Sequence, residues 1–436
     1  MVFALIVGVS ITDPGRPDVH RTVDAVWRLE SARIIGGVAR MVRDVGLAEE
    51  LAQDALVTAL EQWPRTGVPD NPGAWLMTIA KRRAVDRIRR DRTLERKLEE
   101  IGHRQETGGA VGPGADVDAV LDEDRIEDDV LRLIFTACHP VLPAAARIAL
   151  TLRMLGGLAT DEIARAFLVP EPTVAQRIVR AKRTLSEAGV PFEVPEGEDR
   201  AERLSSVLEV IYLIFNEGYA ATAGDDLIRT DLCQEALRLG RLLAGLAPEE
   251  AEVHGLVALM EIQASRSRAR TGPDGAPVPI LEQNRGLWDR LLISRGYAAL
   301  LRAEKLGGPP GRYVLQAAIA ACHAQASTAE ETDWARIAAL YGILARVAPS
   351  PIVELNRAVA IGMAEGPEKG LQAVDALADE PALKKYHLLP SVRGDLLSRL
   401  GRYAEAQAEF ARAASLTRNA AERAVLEKRA ASERLT

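Results

Sequence analysis

Thr173, Gln176, Arg177 and Arg180 fall at i, i+3, i+4 and i+7 in a stretch that opens with Pro172. On a helix this spacing gathers them on one face. Thr, Gln and Arg are the side chains whose donors and acceptors fit base edges in a major groove. Val174, Ile178, Ala181 and Leu185 take another face as a packing stripe. Lys182 and Arg183 follow where a backbone phosphate contact is expected. Just upstream, Leu158–Phe167 reads as a short helix, with Thr160 as its expected cap and Asp161 and Glu162 suited to its positive end. The turn Leu168–Glu171 then completes a helix-turn-helix pattern. An ordinary amphipathic helix pair would carry the same stripe, so periodicity leaves both readings open.

A second group lies on the predicted helix 72–92. Lys81, Arg82, Arg83, Arg87, Arg89, Arg90 and Arg92 stand there against only Asp86 and Asp91. Leu76, Ile79, Ala80, Ala84 and Ile88 form its apolar stripe, and Trp75 sits one turn in. Cations beside an aromatic suit a surface that tracks phosphates and stacks an unpaired base. The alternative is a solvated cationic face. Asn71 before Pro72 is an N-cap followed by the proline favoured at the first helical position. A third group is acidic: Glu49, Glu50 and Asp54 lie on a helix after Gly46, whose stripe is Leu47, Leu51, Ala55, Leu56 and Leu60. By residue type alone these are equally ordinary surface acids.

The elements that must position these groups are all helical. Val23, Val26, Trp27, Leu29 and Ile34 mark a further helix ahead of the acidic one. No strand pattern occurs, so the fold class is all-α. The net charge of −7 over 436 residues hides strong segregation. Residues 1–93 sum to about +2, 130–189 to about +4 and 94–129 to about −8. The last stretch contains Thr107–Gly114, rich in glycine, and reads as an acidic flexible linker. The predicted helix 172–185 ends towards Gly189 and Pro191, a C-cap and stop signal. From about residue 201 helix follows helix, with Gly/Pro breaks at 272–279, 307–311, 348–351 and 366–367. Gly394, Leu397, Leu400, Gly401, Tyr403, Ala406, Phe410 and Ala413 fall at the offsets of a 34-residue tetratricopeptide repeat.

Several function classes are not indicated. Cys138, Cys233 and Cys322 lie far apart without metal-ligand spacing and read as buried structural thiols. No Gly-rich phosphate loop, paired-carboxylate site or metal cluster stands out, and a lone His254 or His387 suits core or surface, so neither an enzyme nor a cofactor is expected. The apolar run Val2–Ile11 is too short for a membrane span and lacks a signal-peptide start, which predicts a disordered or mis-started leader on a soluble, cytoplasmic chain.

A resemblance ties the groups together. Ala48-Glu-Glu-Leu-Ala-Gln-Asp-Ala-Leu56, with Ala74-Trp-Leu and Ala84-Val-Asp-Arg-Ile-Arg-Arg90, resembles region 2 of extracytoplasmic-function (ECF) sigma factors of the sigma-70 family. Residues 130–188 resemble region 4. Phe167–Thr173, Ala175–Arg183 and Phe215-Asn-Glu-Gly-Tyr219 resemble the subgroup with a tetratricopeptide-like C-terminal extension. The resemblance implies a leader (1–19), region 2 (20–93), a linker (94–127), a region 4 helix-turn-helix (128–189), a short linker (190–200) and a helical regulatory α-solenoid (201–436). It implies core RNA polymerase as partner through the largest-subunit clamp helices and the flap of the second subunit. Glu49, Glu50, Leu51, Gln53, Asp54 and Leu56 would meet the polymerase. Asn71, Trp75, Lys81, Arg82, Arg83, Arg87, Arg89 and Arg90 would open and read the −10 element. Thr173, Gln176, Arg177, Arg180, Lys182 and Arg183 would read the −35 duplex of promoter DNA. A regulatory protein on the C-terminal domain would be a further partner. Arg82 stands where the family commonly has Asn, and Leu168 and Pro172 where Gly is common, so no promoter sequence carries over. A helix-turn-helix regulator with a ligand- or protein-sensing repeat domain is the alternative reading.

Overall fold

The computed structural model describes residues 19–102, 123–167, 169–219, 229–272, 277–417 and 419–432. The described residues hold helices and no β-strand, with one isolated bridge between Thr271 and Pro277. Two units divide the chain: residues 1–163 with 174–203, and residues 164–173 with 204–436. The expected leader and the middle of the linker lie outside the described residues.

The first unit contains α1 (Val19–Val42), α2 (Val45–Thr66), α3 (Pro72–Gly102), α4 (Glu123–Ala137) and α5 (Ala144–Met154). The helices α6 (Thr160–Ala166) and α7 (Glu171–Glu187) follow, and α7 lies almost wholly in this unit. Helix α1 packs on α2, α3 and α4 through Val23, Trp27, Ile34, Ile35 and Val38. Leu29 is not part of that face; it is 73% exposed, about 200° around the helix from Trp27. Helix α2 turns inward a stripe of small residues, Ala48, Ala52, Ala55 and Ala59, together with Leu51. Leu47, Leu56 and Leu60 are only half-buried, because the close approach of α1 and α3 leaves room for methyl groups and not for leucines. The third helix outruns its expected end near Arg92 and continues to Gly102. From Thr93 to Ile101 the chain has neither Gly nor Pro and is rich in Leu, Glu, Lys and Arg, all strong helix formers.

Two close approaches lock α1 to the later helices. A Cβ on Gly36 would lie 2.9 Å from the carbonyl oxygen of Asp129, so glycine lets α4 settle on α1. Gly157 has φ +64°, and a Cβ there would meet Ser31 Oγ at 3.0 Å and Arg28 Cα at 3.1 Å. The buried Asp129 pairs with Arg40 at 3.2 Å and Arg132 at 2.8 Å. Burial nonetheless pushes its carboxyl above the usual range, against the pull of both arginines.

The second unit is a run of helices in which chain neighbours pack on one another. It begins within α8 (Gly197–Tyr219) and continues through α9 (Thr230–Leu246), α10 (Ala251–Ala264), α11 (Arg290–Leu306), α12 (Arg312–Gln325) and α13 (Trp334–Val347). It closes with α14 (Pro351–Ala364), α15 (Pro367–Asp375), α16 (Leu388–Arg399), α17 (Tyr403–Leu416) and α18 (Ala420–Ser432). The breaks do what their residues dictate: Ser350 accepts from the Ile352 N–H ahead of Pro351, and Gly307 ends α11 with φ +76°. In the repeat near the end, a Cβ on Gly394 would lie 2.8 Å from the buried ring of Phe410. The small residue and the aromatic therefore meet where α16 packs on α17. All three cysteines are free and buried.

Candidate nucleic-acid interface

Helix α7 presents two chemically distinct sides. Val174, Ile178, Ala181 and Leu185 are buried, while Gln176, Arg180 and Arg183 are exposed and Thr173 and Arg177 half-exposed. The helix ends as its sequence requires: Gly189 at φ +61° accompanies bonds from its own N–H to Ser186 O and from Val190 N–H to Leu185 O. The start of α6 differs from expectation. Thr160 is already the first helical residue, and the carboxylate of Glu162 reaches back to the Ala159 N–H at 2.9 Å. The third residue of the helix thus satisfies the amide just ahead of it. Leu168 of the expected turn lies outside the described residues, and the turn shows a bond from Val169 N–H to Ala164 O at 3.1 Å.

Lys182 is not on the outward side. It lies nine residues past Thr173, about half a turn away, and falls beside Ile178 and Leu185. There it donates to Glu49, a carboxylate only 3% exposed. Glu49 also accepts from Arg153 Nε at 3.0 Å and from the Gln53 amide. Glu49 and the buried Leu51 were expected on a docking surface; both belong to the interior of the first unit. The reason is the alanine stripe, which turns this edge of α2 inward. Arg28 pairs with Glu162 within the same unit. The pairings of Arg153 with Glu49 and of Glu162 with Arg28 had no signal in sequence, since the partners lie more than a hundred residues apart.

Helix α3 is capped as its first residues dictate, with Asn71 Oδ1 accepting from the Ala74 N–H at 3.0 Å. Trp75 packs edge-on against the buried Trp63, with ring centroids 5.5 Å apart, and stays half-exposed. The cations of α3 divide into three sets. Lys81 turns inward beside Arg40 and Asp129, and burial, aided by Arg40, lowers its pKa; it does not stand on the outer basic side. Arg83 bridges to α2, donating to Asp54 at 2.9 Å and to Thr58 at 2.8 Å, and Arg87 pairs with Asp91 at 3.0 Å. Arg82, Arg89 and Arg90 are exposed, and none pairs with a carboxylate among the described residues. Along the outer edge of α2, Glu50, Asp54, Val57 and Glu61 are exposed at helical spacing, flanked by the half-buried Gln53, Leu56 and Leu60.

Among the described residues no group of His, Cys, Asp or Glu could hold a metal ion, and no helix is long and apolar enough to cross a membrane.

Comparison with known proteins places this geometry. Residues 28–93 match the family described as sigma-70 region 2, and residues 132–185 the family described as sigma-70 region 4. Residues 203–304 match a family of unknown function, DUF6596. The chain is 34% identical over 161 residues to the ECF RNA polymerase sigma factor SigK of Mycobacterium bovis, covering 35% of this chain and 78% of that one. It is 28% identical over 182 residues to a probable ECF RNA polymerase sigma factor, SigI of Mycobacterium tuberculosis, spanning 60% of that relative's length. An uncharacterised protein of Rhizobium meliloti is 44% identical over 405 residues, 91% of this chain and 93% of that one. No solved structure matches.

Proposed function

As a member of the ECF RNA polymerase sigma factors, the chain is a promoter-specificity subunit that joins core RNA polymerase, and we propose how its surfaces divide that work. The observation that carries the proposal is the pairing of two cationic helices with opposite designs. Helix α7 buries its apolar side and turns Gln176, Arg177 and Arg180 outward, while α3 exposes Arg82, Arg89 and Arg90 near a half-exposed tryptophan. The first arrangement suits base edges of a −35 duplex. The second suits phosphates and an unstacked base at the −10 element. Arg183, exposed but joined to Glu187 at 2.9 Å, takes the phosphate role on α7 in place of Lys182.

The strip Glu50, Asp54, Val57 and Glu61 is the polymerase-facing surface, its acids meeting basic residues of the clamp helices and Val57 with Leu56 supplying apolar contact. Region 4 meets the flap. The factor works in the cytoplasm, where polymerase and chromosome are found. Residues 201–436 serve regulation as an integral part of the working factor, and stacked helices of this kind offer a continuous surface for a protein partner.

In vitro transcription with reconstituted holoenzyme tests both parts. Charge reversal at Glu50 and Asp54 together is expected to reduce co-purification with core polymerase while helical content stays intact. The fragment 1–195 is expected to transcribe less than the full chain. Higher activity from the fragment would establish an inhibitory lid instead.

A further inference from the structure

The outward side of α7 is not uniformly polar. Val174, Ile178, Ala181 and Leu185 fix its core-facing direction, and at about 100° per residue Gln176 and Arg183 stand almost directly opposite. Arg180 lies about 50° to one side of that line and Val179 about 50° to the other. The half-exposed Arg177 continues the first edge, and the exposed Ala175, one turn before Val179, continues the second. The side is therefore divided along its length into a cationic edge, a polar centre and an apolar edge.

Val179 is 64% exposed, and of the large apolar side chains described only Leu29, at 73%, is more open. Val174, Ile178 and Leu185, the other large aliphatic residues of α7, are all buried. A β-branched residue facing water lowers helix propensity relative to alanine or arginine and gains nothing from burial. Beside it, Gln176, Arg177 and Arg180 make no hydrogen bond or ion pair among the described residues, so their donors stay available to a duplex.

With α7 in a major groove, the reading on which this rests, a base pair shows one apolar group only, the 5-methyl of thymine. Set against a purine N7, a carbonyl oxygen or an exocyclic amine, Val179 would strip water from a polar atom and return no hydrogen bond. Set against the methyl group, it buries apolar surface on both partners. Along the helix axis Val179 lies about 4.5 Å past Gln176 and about 6 Å before Arg183, within the stretch that the polar centre spans. We propose that Val179 is a specificity-determining residue, selecting thymine at one position of the −35 element through its 5-methyl group. Ala175 extends the same apolar edge by one turn.

Holoenzyme carrying the full chain selects a duplex from a library randomised over the −35 element. Each thymine of the selected duplex is then replaced singly by deoxyuridine, which removes the methyl group and nothing else. At one thymine this substitution should weaken binding about three- to fivefold, the worth of one buried methyl group. Val179→Ala should weaken the thymine duplex to a similar extent and bind the deoxyuridine duplex as the wild type does, so that the two losses do not add. Alanine is the strongest helix former and the site is exposed, so folding is not at stake. Arg180→Ala is the control for α7 itself and should cost about tenfold or more. If neither Arg180→Ala nor any deoxyuridine weakens binding, α7 is not in the groove and the inference falls with that reading. If Arg180→Ala weakens binding while no thymine couples to Val179, α7 stands in the groove and the role of Val179 alone is overturned. A selected element without an A·T pair overturns it too, as does a Val179→Ala chain whose loss lies in joining core polymerase and not in binding the duplex.

Discussion

Replacing Glu49 by Gln should unfold the first unit more readily than any exposed charge substitution of similar size. The side chain is 4% exposed and faces Lys182 and Arg153, whose side chains are only 17% and 20% exposed. Gln preserves the shape but leaves two mostly buried cations without a counter-charge. Breaking a fully buried pair costs about 3–5 kcal/mol. Here both cations retain some access to water, so we expect about 2–4 kcal/mol, or a melting transition lowered by roughly 5–10 °C for a unit of this length. Calorimetry on the full chain reads this directly, since the two units can melt as separate transitions. The internal control is Asp54→Asn, which breaks the exposed Asp54–Arg83 pair, with side chains 56% and 40% exposed, and should cost less than about 1 kcal/mol. Adding Lys182→Met to Glu49→Gln should recover part of the loss, because it removes one of the stranded charges. If Glu49→Gln costs no more than Asp54→Asn, the carboxylate does not hold these helices together and the reasoning fails.

Three further outcomes follow from the same structure. Arg177→Ala should weaken promoter-duplex binding by about 1–3 kcal/mol and relax preference at one position of the −35 site, read by gel shift across single-base variants; unchanged binding would remove α7 from the groove. Trp75→Ala should still form a closed complex but open the −10 region poorly, and permanganate reactivity equal to wild type would contradict that role. Burial pushes the Cys138 thiol up to about 11 and the Cys233 thiol up to about 12, so at pH 8 both stay protonated and should resist iodoacetamide in the native chain, reacting only after denaturation.

Much of this protein is determined by local pattern. The all-α class, the helix stops at Gly189 and Gly307, the helix start at Ser350–Pro351, the Asn71 cap and the buried stripe of α7 all depend on residues within a turn or two of one another. The repeat offsets put Gly394 and Phe410 within one hairpin, and the structure then sets the Phe410 ring against Gly394. The tertiary structure decided which side of each helix is free. A leucine stripe on α2 reads as the core side, but the close approach of α1 and α3 selects the alanines and leaves Leu56 and Leu60 at the edge. Cations on α3 look alike in sequence, but Lys81 turns inward, Arg83 crosses to Asp54 and Arg82 remains outside. The pairing of Glu49 with Arg153 and Lys182 joins residues more than a hundred positions apart. Within the second unit the Arg285 contact spans a shorter distance in sequence, 38 positions to the carbonyl of His323, but one still far beyond a helical turn. Helical periodicity constrains neighbours within a few residues and is silent about which distant charge arrives opposite, because packing between helices settles that only after each has formed.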